Sequence, residues 1–293
     1  MRKRLGPETY AVILVGGKGK RLRPLSTDIR PKVFLSVTSD RKTMFANTIA
    51  RIGNIVPPER IVVVANKAHV RLVKKDLPPA SRKNIILEPV SRNTAPAVSL
   101  AAKLLLSRVP DAVIMMLPAD QYIPEREKHI RSLNKGIDFV RRHNEAMVVI
   151  GLTPRYAATQ FGYIKVPGSV GVNKVERFTE KPGTKTAVKY MASGRYLWNT
   201  GILIATAATL LDSIKMYKPR ISNLLKNGNV TRSYRKMPDI SIDYAMLEKA
   251  KNVYCVKGSY EWNDMGSFDE LKKVLNAQSR RFVEKNGKVT KIL

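Results

Sequence analysis

Acidic residues are scarce in this chain. Against 23 Asp and Glu stand 53 Lys and Arg in 293 residues, a formal charge of +30. Cysteine is nearly absent: the single Cys255 rules out an internal disulfide framework and suits a reducing, cytoplasmic setting. Three histidines, His69, His129 and His143, fall at no metal-ligand spacing and speak against a zinc site. Long apolar runs are missing too. Stretches such as Ala11 to Val15 and Ala112 to Leu117 are far too short to cross a bilayer, so no transmembrane segment is expected. The basic start, with Arg2, Lys3 and Arg4, is followed by no apolar core of the kind a secretory signal needs. What is present is a globular composition, 44% apolar, long enough for one large α/β domain with or without a small appendage.

The positive excess is spread along the chain and gathers in no tail or arm. A diffuse excess attracts polyanions without marking a recognition site. A nucleic-acid-binding protein would need a concentrated stripe or interleaved aromatics, and aromatics make up only 7%. No specific nucleic-acid partner is expected on this ground.

Strand-like apolar runs alternate with helical patterns. Thr9–Val15, Ile61–Ala65, Asn84–Leu87, Ala112–Leu117, Met147–Leu152 and Gly201–Ala205 read as strands. Helices are predicted near Thr43–Ile55, Lys67–Asp76, Ala95–Arg108, Glu125–His143, Thr184–Ala192, Ala207–Tyr217 and Asp243–Lys249. Asn93-Thr94 supplies an N-cap for the third of them. Single helices between strands imply βαβ units, hence an α/β, doubly wound, mainly parallel sheet of Rossmann-like type. The periodicity fades after Leu275, and Asn286-Gly287 suggests a turn between short strands. The expected division is a catalytic domain over residues 8–275 and a short, β-like C-terminal appendage over 276–293.

In such sheets ligands bind beyond the carboxyl ends of the strands. Directly after the first strand comes Gly16-Gly17-Lys18-Gly19-Lys20-Arg21-Leu22-Arg23-Pro24-Leu25-Ser26. Three glycines in four positions free backbone amides for an anion, and cations follow at once. A Walker A loop does not fit, since Gly19-Lys20 precedes Arg21 rather than Ser or Thr. The dinucleotide fingerprint fails as well, having Leu22 where a third glycine belongs.

The loop, continued through Pro31-Lys32, resembles the signature of the sugar-nucleotide pyrophosphorylases, nucleotidyltransferases that join a sugar 1-phosphate to a nucleotide. Further blocks resemble the branch of that family acting on mannose 1-phosphate and GTP. They are Glu88-Pro89 with Arg92–Ala97, Leu117–Ile123, Phe161–Ile164, Phe178–Pro182, Trp198–Gly201, Ser241–Ala245 and Trp262–Ser267. They run in order from residue 10 to about 275. Gln121 stands where the branch usually has His, and Asn199-Thr200 where Asn-Ser is usual. The length leaves no room for the isomerase domain of bifunctional members, so isomerase activity is not expected, and it is also short for the left-handed β-helix of other members.

The resemblance implies attack by the phosphate oxygen of mannose 1-phosphate on the α-phosphorus of GTP, giving GDP-mannose and pyrophosphate. Such a reaction is positioning and charge neutralisation, without a nucleophilic side chain. Asp120 and Asp264 match the family's Mg²⁺ ligands; the plainer alternatives are a helix-capping Asp120 and a turn Asp264. Arg21 and Lys32 would hold the triphosphate, with Arg21 better suited to transition-state charge because its planar fork bridges two oxygens. Lys181 would bind the sugar phosphate or α-phosphate, or else stand exposed before a Pro turn. Lys18, Lys20 and Arg23 would raise the local potential. Gly16, Gly17 and Gly19 would cradle the nucleotide's phosphates, and Gly162, Glu180 and Asn199 would meet the sugar. Glu88 would accept from the adjacent N1–H and N2–H₂ of guanine, or would instead pair with Arg92; Asn93 and Thr94 would help fix the base. Trp198 and Trp262 are read as core or loop-anchoring aromatics. The competing readings are another pair, such as UTP or dTTP with glucose 1-phosphate, and a basic nucleic-acid-binding protein. A homodimer is left open.

Overall fold

The computed structural model describes residues 8–17, 19–168, 171–226 and 230–293. Arg2, Lys3, Arg4 and Lys18 lie outside the described residues.

The chain opens with β1 (Thr9–Val15), α1 (Met44–Ile52), β2 (Ile61–Asn66), α2 (Val70–Asp76), β3 (Ile85–Glu88) and α3 (Thr94–Arg108). It continues through β4 (Val113–Pro118), α4 (Arg126–Arg142), β5 (Met147–Leu152), β6 (Tyr163–Lys165), β7 (Val172–Lys174) and β8 (Arg177–Thr179). Next come α5 (Thr184–Ala192), β9 (Tyr196–Thr206), α6 (Ala207–Tyr217), α7 (Pro219–Lys226) and α8 (Val230–Arg235). A π-helical turn at Asp243–Leu247, β10 (Val253–Lys257), α9 (Phe268–Ala277) and the pair β11 (Phe282–Lys285) and β12 (Lys288–Ile292) complete it.

Alternation along the strands sets the layers. Ala11, Ile13 and Val15 of β1 face one side of the sheet and pack with Phe45 and Ile49 of α1 and Leu133 and Ile137 of α4. Val12 faces the other side, with Val98, Ala101 and Leu105 of α3 and Leu210 of α6. Because the central strands β1, β2, β4 and β5 are buried on both faces, their runs read as continuously apolar. The main sheet runs β3-β2-β1-β4-β9-β5-β10-β7, with β6 and β8 added beside β9. Strands β1 to β4 are parallel to one another, as are β5 and β10. The mainly parallel, doubly wound sheet thus stands.

Strand β9 is the exception that shapes the site. Its eleven residues run antiparallel to both β4 and β5. The β5–β9 register shifts between Val149 and Gly151, and beyond that point Tyr196–Trp198 pair with β6. The sequence reading of Gly201–Ala205 covered only the second half of this strand. It also missed the short strands β6, β7 and β8, strand β10, and helices α7, α8 and α9. The predicted Asp243–Lys249 helix is a π-helical turn, with the amide of Glu248 donating to the carbonyl of Asp243 at 3.1 Å.

Hairpin β11–β12 turns at Asn286-Gly287, both with positive φ. Its Val289 is buried in a third cluster with Leu271 and Leu275 of α9 and Leu22 of the glycine loop. Among the described residues no helix is long and apolar enough to cross a membrane.

Candidate active site

Beyond the carboxyl end of β1 the chain turns sharply at Gly17, with φ of +90°, and at Gly19, with φ of +57°. At Gly19 a Cβ would lie 2.9 Å from Cβ of Lys32, so the loop must be bare there to let residue 32 come close. The Ser26 hydroxyl donates to the Gly19 carbonyl at 2.6 Å, and Leu22 is buried beneath the turn. This geometry holds Lys20 and Arg21 at a cavity of about 350 Å³ shared with Lys32, Asp120 and Asp264. Arg21 is exposed and makes no ion pair among the described residues. Arg23, by contrast, is paired with Asp28 at 2.7 Å and is not on this cavity.

Lys32 joins the two acids. Its Nζ donates to Oδ2 of Asp120 at 2.8 Å and to the main-chain carbonyl of Asp264. The loops carrying those acids are held together by an antiparallel bridge, with Tyr122 and Asn263 exchanging amide bonds at 2.9 and 3.0 Å. Burial raises the Asp264 carboxyl above its ordinary range; Lys32 works against this and the Asp120 charge adds to it. Asp120 does not cap α4, whose N-cap position is Glu125. Asp264 does make the turn contact, accepting from the Gly266 amide at 3.1 Å.

Among the described residues no three His, Cys, Asp or Glu are placed to hold a metal by themselves. Two neighbouring carboxylates on one cavity nevertheless fit a hard divalent cation, which usually takes one or two protein carboxylates and completes its shell with water and phosphate oxygens. The desolvation and mutual repulsion at Asp264 are what such a cation would relieve.

Asp120 also lines a second cavity of about 450 Å³, largely apolar, with Gly16, Gly17, Glu88, Asn93 and Thr94 on its wall. Glu88 does not pair with Arg92. Its Oε1 accepts from the hydroxyl of Tyr234 at 2.5 Å, while Arg92 donates to the carbonyl of Arg235 at 2.5 Å. Asn93 caps α3 with φ of +62°, and its side chain accepts from the Thr94 amide at 2.9 Å. The Thr94 hydroxyl accepts from the Ile242 amide at 2.8 Å, which fixes the segment before the π-helical turn.

At the far end of this cavity lies Asp243, which accepts from the Asn199 amide group at 3.0 Å. Glu180 is buried beside it, one oxygen accepting from Lys181 at 2.5 Å and the other without a protein partner among the described residues. A Cβ on Gly162 would fall 2.6 Å from that unpartnered Oε2. The Glu180 amide donates to Glu248 at 2.8 Å, and the Asn199 amide to the Gly162 carbonyl at 2.8 Å. Burial, then the Glu180 charge, pushes Asp243 up to about 6. Lys181 is half-buried; that works against its charge, but its bond to Glu180 outweighs it and leaves its pKa above the ordinary value.

The predicted site residues inside the described set fall into three groups, linked through Asp120, which lines both cavities, and through Asp243, which lines the second and is bonded to Asn199. Lys20, Arg21, the acid pair and Lys32 form the first group, Gly16, Gly17, Glu88, Asn93 and Thr94 the second, and Gly162, Glu180, Lys181 and Asn199 the third. Three participants escaped the sequence reading. Asp243 sat in a matched block without a role, Glu248 follows it by one turn, and Tyr234 has no local signal at all. The two departures from the family pattern touch each other: Gln121 donates to the Thr200 carbonyl at 2.5 Å. Trp198 and Trp262 are buried, each edge-on to Phe161 at 5.0 Å, as anchoring aromatics.

A glycine turn carrying cations opposite an acid pair, beyond the strand ends of a doubly wound sheet, lies where sheets of this class bind their ligands. The chain belongs to the nucleotidyl transferase family, whose profile matches residues 10–281. It is 34% identical, over 94% of its length, to a mannose-1-phosphate guanylyltransferase of Salmonella typhimurium and 33% identical, over 89%, to one of Escherichia coli K12. It spans about 60% of the length of each of these relatives. Among solved structures it resembles a Thermus thermophilus protein described as a mannose-1-phosphate geranyltransferase, with 32% identity and a TM-score of 0.84. That likeness covers 91% of this chain and 79% of the other.

Proposed function

We propose that the protein transfers GMP from GTP to mannose 1-phosphate, releasing pyrophosphate and forming GDP-mannose. The names of the relatives over most of this chain support the substrate pair. The observation that carries the reading is the junction at Lys32, where one cation touches both acid-bearing loops at the mouth of the glycine turn.

In this reading Gly17 and Gly19 shape the loop whose amides hold the β- and γ-phosphates, and Arg21 meets the charge that grows on them as pyrophosphate leaves. Lys32 lies against the α-phosphate side of the same cavity. Asp120 and Asp264 would hold Mg²⁺, which when bound supplies charge neutralisation between the phosphates. Glu88 accepts from the guanine edge inside the apolar cavity. Glu180 and Asn199 accept from and donate to sugar hydroxyls, while Gly162 leaves room for the ring. Lys181 steadies the sugar phosphate so that its oxygen stands in line with the α-phosphorus. No covalent enzyme intermediate is required.

The test is a panel of nucleoside triphosphates and sugar 1-phosphates followed by pyrophosphate release. GTP with mannose 1-phosphate is expected to turn over fastest; faster release with UTP or dTTP and glucose 1-phosphate would sink the assignment.

A further inference from the structure

Glu88 closes β3 at the wall of the apolar cavity, yet only 5% of it is exposed. Among the described residues its carboxylate has one hydrogen-bond partner, the hydroxyl of Tyr234 at 2.5 Å. Tyr234 comes from α8, is fully buried, and is not part of the cavity wall. It has one proton to give, and burial together with the neighbouring carboxylate holds its pKa well above the ordinary tyrosine value, so it donates and Glu88 accepts. Burial also pushes Glu88 toward its neutral form, and the Tyr234 bond is what works against that.

The two forms of Glu88 read different bases. A carboxylate offers acceptors on both oxygens, which suits the paired N1–H and N2–H₂ donors of guanine. A neutral carboxyl offers one donor and one good acceptor, which suits the N1 and N6–H₂ of adenine and turns a proton toward guanine N1–H. Hypoxanthine keeps N1–H but lacks the amine, so it measures the second acceptor alone.

Resting on the guanylyltransferase reading above, we infer that Tyr234 is a specificity-determining positioning residue. Its hydroxyl holds Glu88 as an oriented carboxylate, so selection of guanine depends on a side chain that does not reach the base. The Arg92 guanidinium, four residues on in sequence, is instead committed to the Arg235 carbonyl.

The experiment compares kcat/KM for GTP and ITP, with mannose 1-phosphate, in the wild-type chain, Glu88→Gln and Tyr234→Phe. Wild type is expected to favour GTP by at least about 30-fold, and both variants to bring the ratio within about threefold, the range a hydrogen bond to a charged group spans. A merely structural tyrosine would lower both rates and leave the ratio where it was. A wild-type ratio in Tyr234→Phe alongside a collapsed one in Glu88→Gln overturns the inference and spares the Glu88 assignment. An unchanged ratio in Glu88→Gln, or a wild type indifferent to the 2-amino group, overturns both while leaving guanylyl transfer intact. Wild-type preference for a pyrimidine nucleotide would defeat the proposed function itself. Should Tyr234→Phe not fold, 3-fluorotyrosine at position 234, a stronger donor of nearly the same shape, must hold or raise the ratio; a fall overturns the inference.

Discussion

The site is assembled from side chains whose freedom has been removed by neighbours, and single substitutions should separate their roles. Gly162→Ala places a methyl group 2.6 Å from Oε2 of Glu180, which must move aside. The expected result is a rise of about tenfold or more in KM for mannose 1-phosphate, with the KM for GTP nearly unmoved. Steady-state kinetics with each substrate varied would show it, and an unaltered sugar KM would detach Glu180 from the sugar. Asp120→Asn keeps an oxygen to accept from Lys32 but removes the charge. Turnover should fall by at least about 100-fold while the far-ultraviolet circular dichroism and melting point stay close to wild type. An active variant would mean that the acid pair has another purpose.

At the scale of elements, caps and alternation do most of the positioning. The Ser267 hydroxyl accepts from the Glu270 amide at 3.2 Å and starts α9, which anchors the hairpin under the glycine loop. Ser267→Ala should cost about 1 kcal/mol in urea denaturation, the usual value of an N-cap, with little change in the slope. Elements of this kind were legible in the sequence where burial is uniform or a cap is local. Thr9–Val15, Met147–Leu152, Thr184–Ala192 and Ala207–Tyr217 have the ends predicted for them. Strand β10 was missed because Val253–Lys257 alternates only briefly and is held by parallel pairing to β5, a contact far away in sequence. The glycine loop and strand-end acids were legible because their chemistry is local. Tyr234 was not, since its only significance is a partner on β3. At Glu88 the expected Arg92 alternative fails because each group has another tertiary partner, Tyr234 for the one and the Arg235 carbonyl for the other, which no local pattern announces.

The molecule as a whole carries its positive charge in two ways. Arg21 and Lys32 line the cavity beyond the glycine turn and Lys181 is bonded to Glu180, while many others close helices: Lys74 and Lys75 on α2, Arg108 on α3, Arg141 and Arg142 on α4. Cations in a last helical turn complement the helix dipole, so part of the excess has a structural use. Acid sensitivity is a second whole-molecule property. His129 is buried, edge-on to Tyr260 at 4.9 Å, and burial followed by the Arg51 charge pushes its pKa down to about 3. Folding thus keeps it neutral while the unfolded chain takes up a proton near the ordinary value of 6.5. Its stabilising effect is complete above that value and is lost as pH falls toward 3, by at most roughly 1.4 kcal/mol per pH unit. Unfolding free energies measured from pH 7 to pH 4 should therefore decline less steeply in His129→Phe than in wild type; parallel declines would place the acid sensitivity elsewhere.

The central claim is that this surface joins a guanine nucleotide directly to mannose 1-phosphate, and the reverse reaction tests it most directly. Labelled pyrophosphate is supplied with GDP-mannose and the divalent cation, and label is sought in nucleoside triphosphate. Label should enter GTP when GDP-mannose is present, and should stay out when GTP is offered without any sugar nucleotide. Incorporation into UTP from UDP-glucose in preference, or into GTP with no sugar nucleotide present, would contradict it.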